Sequence, residues 1–243
     1  MSINQGYLLR ALVRLYIMIS YLKKLKYLFQ GKYISVEIIR LKKKWFGNNY
    51  GGFFINQEGL NKSSVVYSIG IGEDISFDLE LMGRFNCKIY AFDPTPKSIT
   101  WVKKNVKNSN FIFSPIGISK EKGEKDFYLP KNENHVSGSI HRINSVESQK
   151  KLKLNFDTLY NVMIKNNHKR IDVLKMDIEG AEYDVIESIK NYKIEIAQIL
   201  VEFHPHFEKD GKKKTIDAIN SLHEMGYKCF GRSNSFLEYS FIK

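Results

Sequence analysis

Three observations predict a three-layer α/β fold: a mostly parallel sheet between helices, with an antiparallel C-terminal hairpin. From residue 64 onward, apolar runs of strand length alternate with amphipathic helical runs, the pattern of repeated β-α-β units. The first strand ends in Gly70 and Gly72 and the second in Asp93, punctuation that suits strand ends facing a ligand. The chain then closes on two strand-like runs with a tight turn between them.

The bulk numbers agree. A chain of 243 residues can bury one sizeable core. Its 43 % hydrophobic and 26 % charged residues exclude wholesale disorder. Cys87 and Cys229 lie far apart with no paired spacing. This speaks against a disulfide framework or a cysteine metal site and suits a reducing, cytoplasmic setting.

The net charge of +12 is unevenly placed. Residues 1–44 carry ten Lys and Arg against Glu37 alone, a net +9, which leaves +3 for the remainder. The body is close to neutral, so a nucleic-acid partner is not expected, and the positive field belongs to a basic extension, residues 1–44. Its longest uncharged run, Leu15 to Leu22, falls well short of the roughly 20 residues of a membrane span. Arg10 and Arg14 also interrupt any signal-peptide core. In helical projection Leu8, Leu12, Leu15, Ile19 and Leu22 share one side, opposite Arg10 and Arg14. Two readings stand: a helix lying on an anionic membrane, at its inner face, or a helix packed on the main domain or a dimer partner.

"WFGNNYGGFFI" (45–55) reads as a connection, rich in Gly and Asn. "SVVYSIGIG" (64–72) is the first strand and "FDLELMGRF" a helix. "CKIYAFDP" (87–94) is the second strand, "KSITWVKKNV" a helix, and "NFIFSPIGIS" (110–119) the third strand. "KDFYLP" pairs as an extra edge segment. The polar run 131–150 lacks periodicity and reads as a long loop, of a length usually functional or disordered. "FDTLYNVMIKNN" is a helix, "IDVLKMDI" (171–178) the fourth strand, "AEYDVIESIK" a helix and "IAQILVEFH" (196–204) the fifth strand. "KKTIDAINSLHEMG" is a helix stopped by Gly226, followed by the strands "YKCFGRS" and "FLEYSFIK".

Ligands of open α/β sheets bind beyond the carboxyl ends of the strands. Those ends carry Gly70, Gly72, Glu73 and Asp74, then Asp93 and Pro94, then Asp177 and Glu179, and finally Glu202 and His204. Asp93 stands 23 residues after Gly70, where an acid accepts hydrogen bonds from ribose hydroxyls, so a nucleoside-containing cofactor is expected. A dinucleotide fingerprint needs a third glycine where Ile75 stands. Glu73 and Asp74 would also repel a pyrophosphate, which disfavours a nicotinamide-dependent oxidoreductase. The same acids suit the ammonium and sulfonium of S-adenosylmethionine.

The segments "VVYSIGIGEDISFDLELM", "YAFDPTP", "IDVLKMDIEGAEYDVIES" and "ILVEFH" resemble the FkbM-type methyltransferase family, as does the lead-in "FGNNYGGFFI". The likeness spans about residues 45–205, and "LKMDIEGAE" is its most distinctive part. It implies a class I methyltransferase fold, Rossmann-like and seven-stranded, over residues 45–243. It also implies S-adenosylmethionine as cofactor and O-methylation of sugars, glycans or secondary metabolites. One departure is Ser68, where many members carry an acid two residues before the first motif glycine.

On this reading Ser68, Gly70, Gly72, Glu73, Asp74, Ser76, Phe77, Asp93, Pro94 and Asp177 are the cofactor-binding candidates. Methyl transfer from a sulfonium needs alignment and proton removal rather than an enzyme nucleophile. His204 is the candidate general base, or else a histidine bonded to backbone at a strand end. Glu202, two residues earlier on the same strand face, orients the imidazole, shares a metal, or pairs with a lysine. Asp177 is expected near the methyl donor and Glu179 near the acceptor. Glu182 is read as a helix-start acid, and Gly180 as a position where a side chain would crowd ligands. Asp177, Glu202 and His204 also form a candidate Mg²⁺ set. Around "NHVSGSIHRI", Ser137, Gly138 and Ser139 offer donors, and His135, His141 and Arg142 suit an acidic glycan; a plain surface loop is the alternative. The expected acceptor is a carbohydrate or glycolipid. A nucleic-acid methyltransferase and a non-catalytic binding protein are the other rivals.

Overall fold

A computed structural model describes residues 15, 18, 19, 22, 24–29, 33–131, 138–141, 146–207 and 209–243. The chain divides into two compact units, residues 1–35 and 36–243. In the first, Leu15, Met18, Ile19, Leu22 and residues 24–29 are helical, and Leu15, Met18, Ile19 and Leu22 are exposed. The Tyr33 N–H donates to the Tyr27 carbonyl at 3.1 Å, and Lys24 Nζ lies 5.1 Å from the Tyr33 ring centre. Leu8, Leu12, Arg10 and Arg14 of the expected stripe lie outside the described residues. Among the described residues no helix is long and apolar enough to cross a membrane.

The second unit opens with a hairpin, β1 (Lys44–Phe46) and β2 (Phe53–Ile55). The main sheet holds β3 (Val65–Ile69), β4 (Lys88–Phe92), β5 (Phe111–Ser114), β9 (Ile171–Met176), β10 (Ile196–Glu202), β11 (Lys228–Arg232) and β12 (Glu238–Ile242). Their order is β11-β12-β10-β9-β3-β4-β5. The neighbours from β10 to β5 are parallel, and β12 runs against both β10 and β11. This is the expected seven-stranded sheet, with β12 its antiparallel member. β9 and β10 are buried almost without alternation, as strands covered on both faces must be.

One face packs Val66, Ile89, Ala91, Val173 and Leu200 against Phe77, Leu81 and Met82 of α1 (Ser76–Phe85) and Val102 of α2 (Pro96–Asn105). The opposite face meets α3 (Leu159–Lys165), α4 (Glu182–Asn191) and α5 (Gly211–Glu224). There Tyr67 Oη lies 2.9 Å from His168 Nδ1, and Tyr183 of α4 both stacks on Phe203 and bonds Thr215 of α5.

Three expectations are corrected. "WFGNNYGGFFI" is a core element: Phe46, Phe53 and Ile55 are at most 1 % exposed, because the hairpin lays its apolar face on the sheet core. The third strand breaks after Ser114, and Gly117–Ile118 becomes β6 of a separate sheet. That sheet, ordered β6-β8-β7, also contains β7 (Gly123–Pro130) and β8 (Val146–Asp157). The end of the expected loop and the start of the expected helix at Phe156 therefore belong to one long strand. Within the loop, His135, Ser137 and Arg142 lie outside the described residues.

A buried amide clasps the hairpin to the sheet. Gln198 Oε1 accepts from Asn56 N–H at 3.0 Å and its Nε2 donates to Asn56 O at 2.9 Å. Gln198→Ala strands both backbone groups, and the expected loss is about 1–3 kcal/mol for each group left unpaired, read as a lower urea midpoint.

Candidate active site

Strand order reverses between β3 and β9, so a crevice opens at their carboxyl ends. The ends are tied together: Gly70 N–H donates to Phe92 O at 2.9 Å, and Asp177 N–H donates to Ile69 O at 3.0 Å. Gly70 has φ +74°, and a Cβ there would lie 1.8 Å from the Asp177 carbonyl oxygen. Only glycine fits that approach. Gly72 N–H donates to Asp93 Oδ2 at 2.9 Å, while Asp93 Oδ1 accepts from Thr95 N–H and Oγ1. The acid expected to meet a ribose thus also braces the glycine turn.

Gly70, Gly72, Glu73 and Asp74 line one pocket together with Asp93, Pro94, Asp177 and Glu179. Asp74 also braces the structure around it. Its Oδ1 accepts from Ser76 N–H at 2.8 Å, starting α1, and its Oδ2 accepts from Asn48 Nδ2 at 2.6 Å. Ser76 and Phe77 do not line the pocket, which corrects their assignment to the cofactor through side chains. Ser76 Oγ accepts from Asn48 N–H, and Phe77 is 1 % exposed, edge-on to Phe53. Ser68 is likewise away from the pocket, wholly buried in β3. Its Oγ acts on the buried carboxyl of Asp78, favouring the charged form.

Burial pushes Asp78 from 3.8 up to about 6, against the pull of Lys175. A carboxyl whose pKa is raised on folding holds its proton more tightly in the fold. Its contribution to stability is therefore complete below pH 3.8 and lost as pH rises through 6. Asp78→Asn lacks this loss, so its stability relative to wild type is expected to gain about 3 kcal/mol across that window. Urea titrations at several pH values measure it; a difference that stays flat contradicts it.

Behind the pocket wall, the exits of β9 and β10 bring four acids around one imidazole. His204 is 5 % exposed. Its Nε2 stands 3.4 Å from Glu179 Oε2, 3.7 Å from Glu202 Oε1 and 3.8 Å from Asp177 Oδ1. Its Nδ1 lies 3.2 Å from Glu182 Oε1, which also accepts the His204 N–H at 3.0 Å. Glu182 Oε2 accepts from Gly180 N–H at 2.8 Å. The carboxylate that orients the imidazole is Glu182, wholly buried, rather than Glu202. Burial opposes charge on His204, but Glu182, then Glu179 and Asp177, outweigh it and lift the imidazole to about 10. Burial first and the charge of Asp177 second push Glu202 up to about 9. Burial likewise raises Asp177.

The turn after β9 is strained. Glu179 has φ +52° and Gly180 φ +99°, and a side-chain-bearing residue held in the left-handed region costs about 1–3 kcal/mol. The turn is held by Glu182 below and by the Ser139 hydroxyl, which donates to Glu179 O at 2.7 Å. Gly180 supplies this backbone angle, and a Cβ there would meet no protein atom closer than 3.9 Å.

Residues outside the expected set complete the site. Tyr50, at the hairpin turn, lines the pocket. Partial desolvation and then the charges of Asp177, Glu179 and Glu202 raise its phenol. Phe127 of β7 and Phe156 of β8 form the far wall with Gly138 and Ile140. Ser139 pairs with Tyr128 of β7 through two backbone hydrogen bonds, and His141 Nε2 lies 3.7 Å from Asp184.

The family described as methyltransferase FkbM domain matches residues 65–229. A human protein, probable methyltransferase-like protein 24, is 25 % identical over 187 residues, 74 % of this chain and 44 % of the relative. The chain therefore spans less than half the length of that curated relative. Among solved structures, the methyltransferase FkbM of Methylobacillus flagellatus KT has a TM-score of 0.47 at 10 % identity, over 76 % of this chain and 44 % of its own. The precorrin-6y C5,15-methyltransferase of Geobacter metallireducens GS-15 has a TM-score of 0.41 at 12 % identity, over 76 % and 82 %. With its family matched over residues 65–229, which include β3, β4, β5, β9 and β10 and the turns that follow them, the chain belongs to the methyltransferase FkbM domain family.

Proposed function

We propose that the chain transfers a methyl group from S-adenosylmethionine to a hydroxyl of a sugar or glycan, on a surface polysaccharide or its lipid-linked precursor. The observation that carries this is the row of carboxylates, Asp177, Glu179 and Glu202, where β9 and β10 end beside the pocket. Carboxylates accept hydrogen bonds from the hydroxyls of a polyol and repel phosphates, which disfavours a nucleic-acid acceptor.

The pocket fits the cofactor. Gly70 clears the crevice of side chain, Asp93 stands at the ribose position, and Glu73, Asp74 and Asp177 offer negative charge to an ammonium and a sulfonium. When bound, the cofactor supplies an activated methyl group. The chain's own residues align the acceptor and take its proton: Glu179, on the pocket wall, is positioned to accept from the hydroxyl. His204, held by Glu182 and already pulled toward its charged form, fixes the carboxylates around it.

Incubation with isotope-labelled methyl donor tests this reading. Label is expected as a methyl ether on glycan hydroxyls from neutral glycan extracts and not on RNA or DNA offered in parallel. Label on nucleic acid alone would overturn it.

The basic extension suits peripheral contact with an anionic inner membrane face, where lipid-linked glycans are assembled. Its described helical residues expose Leu15, Met18, Ile19 and Leu22 beside a lysine-rich segment. Each lysine near such a surface contributes about 1 kcal/mol. Replacing Lys23, Lys24 and Lys26 by Gln is therefore expected to weaken binding roughly a hundredfold in vesicle flotation. Unchanged flotation at low salt removes the membrane from the proposal.

A further inference from the structure

We propose that Asp177, Glu179 and His204 form a site for one divalent cation of the Mn²⁺ type, with Glu182 as the residue that sets the imidazole. The ion's purpose rests on the methyltransferase reading; its binding does not.

Three ligand atoms, one from each residue, lie within 4.8 Å of one another. They come from two strand exits, β9 and β10, which pair in parallel with Val201 opposite Met176. The sheet, not the local sequence, sets their separation. Metal–ligand bonds of about 2.0–2.2 Å put neighbouring donors roughly 3 Å apart. The present Nε2 separations, 3.4 Å to Glu179 and 3.8 Å to Asp177, need only a small contraction.

The orientation of His204 separates a ligand from a simple counter-charge. An imidazolium neutralising carboxylates would settle on one of them at about 2.7–2.9 Å. Here Nε2 settles on none of them at that distance; it faces Glu179, Glu202 and Asp177 at 3.4, 3.7 and 3.8 Å. The side chain is nevertheless buried, at 5 % exposure. Its other nitrogen is fixed by Glu182, which is anchored in turn by the His204 and Gly180 amides. A carboxylate behind an imidazole whose second nitrogen faces other potential ligands is the usual support of a metal-bound histidine.

Charge points the same way. Four acids surround one imidazole; Lys175 of β9 also acts on Asp177, while its ammonium donates to Gly70 O at 3.2 Å. An imidazole nitrogen beside two carboxylates suits Mn²⁺, Fe²⁺ or Zn²⁺, whereas Mg²⁺ favours an all-oxygen shell. The expected Mg²⁺ set of Asp177, Glu202 and His204 is thereby revised in both ion and ligands, with Glu202 at the flank. Binding displaces the Nε2 proton to solvent. Because Asp177 and Glu179 also line the pocket, the ion stands where it can polarise an acceptor hydroxyl oxygen.

The test adds Mn²⁺ alone to the metal-stripped full chain and follows the paramagnetic resonance of free Mn²⁺. Saturation at one ion per chain is expected, with nitrogen modulation from a coordinated imidazole in the spin-echo signal. Asp177→Asn and Glu179→Gln are each expected to weaken binding at least tenfold, and Glu182→Gln by about 10–100-fold. His204→Gln abolishes the nitrogen modulation. Circular dichroism checks that each variant is folded. Since Glu179 lies on the pocket wall, its variant keeps the test decisive if the buried ones unfold. A wild-type chain that leaves the free signal unchanged overturns the proposal. So does bound Mn²⁺ that shows no nitrogen modulation or ignores Glu179→Gln. No methyl donor or acceptor is present, so failure here leaves the acceptor reading standing.

Discussion

Replacing Glu182 by alanine is expected to lower the free energy of unfolding by about 3–5 kcal/mol and to abolish the proposed methyl transfer. The side chain is wholly buried. It accepts the Gly180 and His204 backbone N–H groups and holds His204 Nδ1. Alanine leaves two buried donors unpaired, at about 1–3 kcal/mol each. It also releases the imidazole whose charge Asp177 and Glu179 face. The strained turn at Glu179 and Gly180 loses its lower anchor at the same time. Glu182→Gln keeps one acceptor oxygen but presents an amide N–H₂ to donors, so an intermediate loss is expected. Urea unfolding of the three proteins gives the comparison. An alanine variant within about 1 kcal/mol of wild type would show that the turn is held by other contacts.

Gly70→Ala is expected to be the most damaging single-methyl change in the pocket. The added carbon would sit 1.8 Å from Asp177 O, a backbone atom, so β3 and β9 must move apart where they are hydrogen-bonded. Overpacking of this kind costs about 1–3 kcal/mol, and the left-handed φ of +74° adds about 1–2 kcal/mol for a residue with a Cβ. Both act on the crevice itself, so loss of methyl-donor binding is expected to accompany a lower melting temperature. Gly72→Ala is the control. Its φ is +55°, but a Cβ there meets nothing within 4 Å, so it carries only the backbone penalty. Calorimetric titration with the donor and thermal melts of both variants measure the contrast. Equal behaviour would mean the close approach is relieved without moving the strands.

The sheet was legible because its signals are local. Apolar runs broken by Gly72, Pro94 and Gly226 mark where strands and helices stop, and the strand-end rule then gathers Asp177, Glu179, Glu202 and His204 from distant segments. Two of the misreadings, the hairpin and Glu182, share a different origin: each depends on a partner far along the chain. The Gly- and Asn-rich stretch at 45–55 looks like a connection until Gln198, 142 residues away, grips Asn56. β8 does carry a two-residue alternation, with Leu152, Leu154 and Phe156 between Lys151, Lys153 and Asn155. That signal was masked by the polar stretch before it and by the helix after it. Glu182 looks like an ordinary acid in a first helical turn, because the histidine it holds lies 22 residues further on. The need for Gly180 was visible but its cause was not, since a backbone angle of +99° leaves no mark on side-chain chemistry.

The hairpin has a consequence for how the protein is made. Residues 36–56 bond Asp74, Ser76 and Glu80 on one side and strands of the opposite half on the other: Ile39 N–H donates to Cys229 O, Lys43 Nζ donates to Phe230 O, and Asn56 is clasped by Gln198. Phe54 packs so closely on Gly231 that an added Cβ there would lie 2.7 Å from it. During synthesis this early segment must wait for β10, β11 and β12 to leave the ribosome. Until then Asn48 has no fixed position from which to brace Asp74, and the donor crevice lacks one rim. Closure of the hairpin therefore includes a slow search for contacts nearly two hundred residues apart.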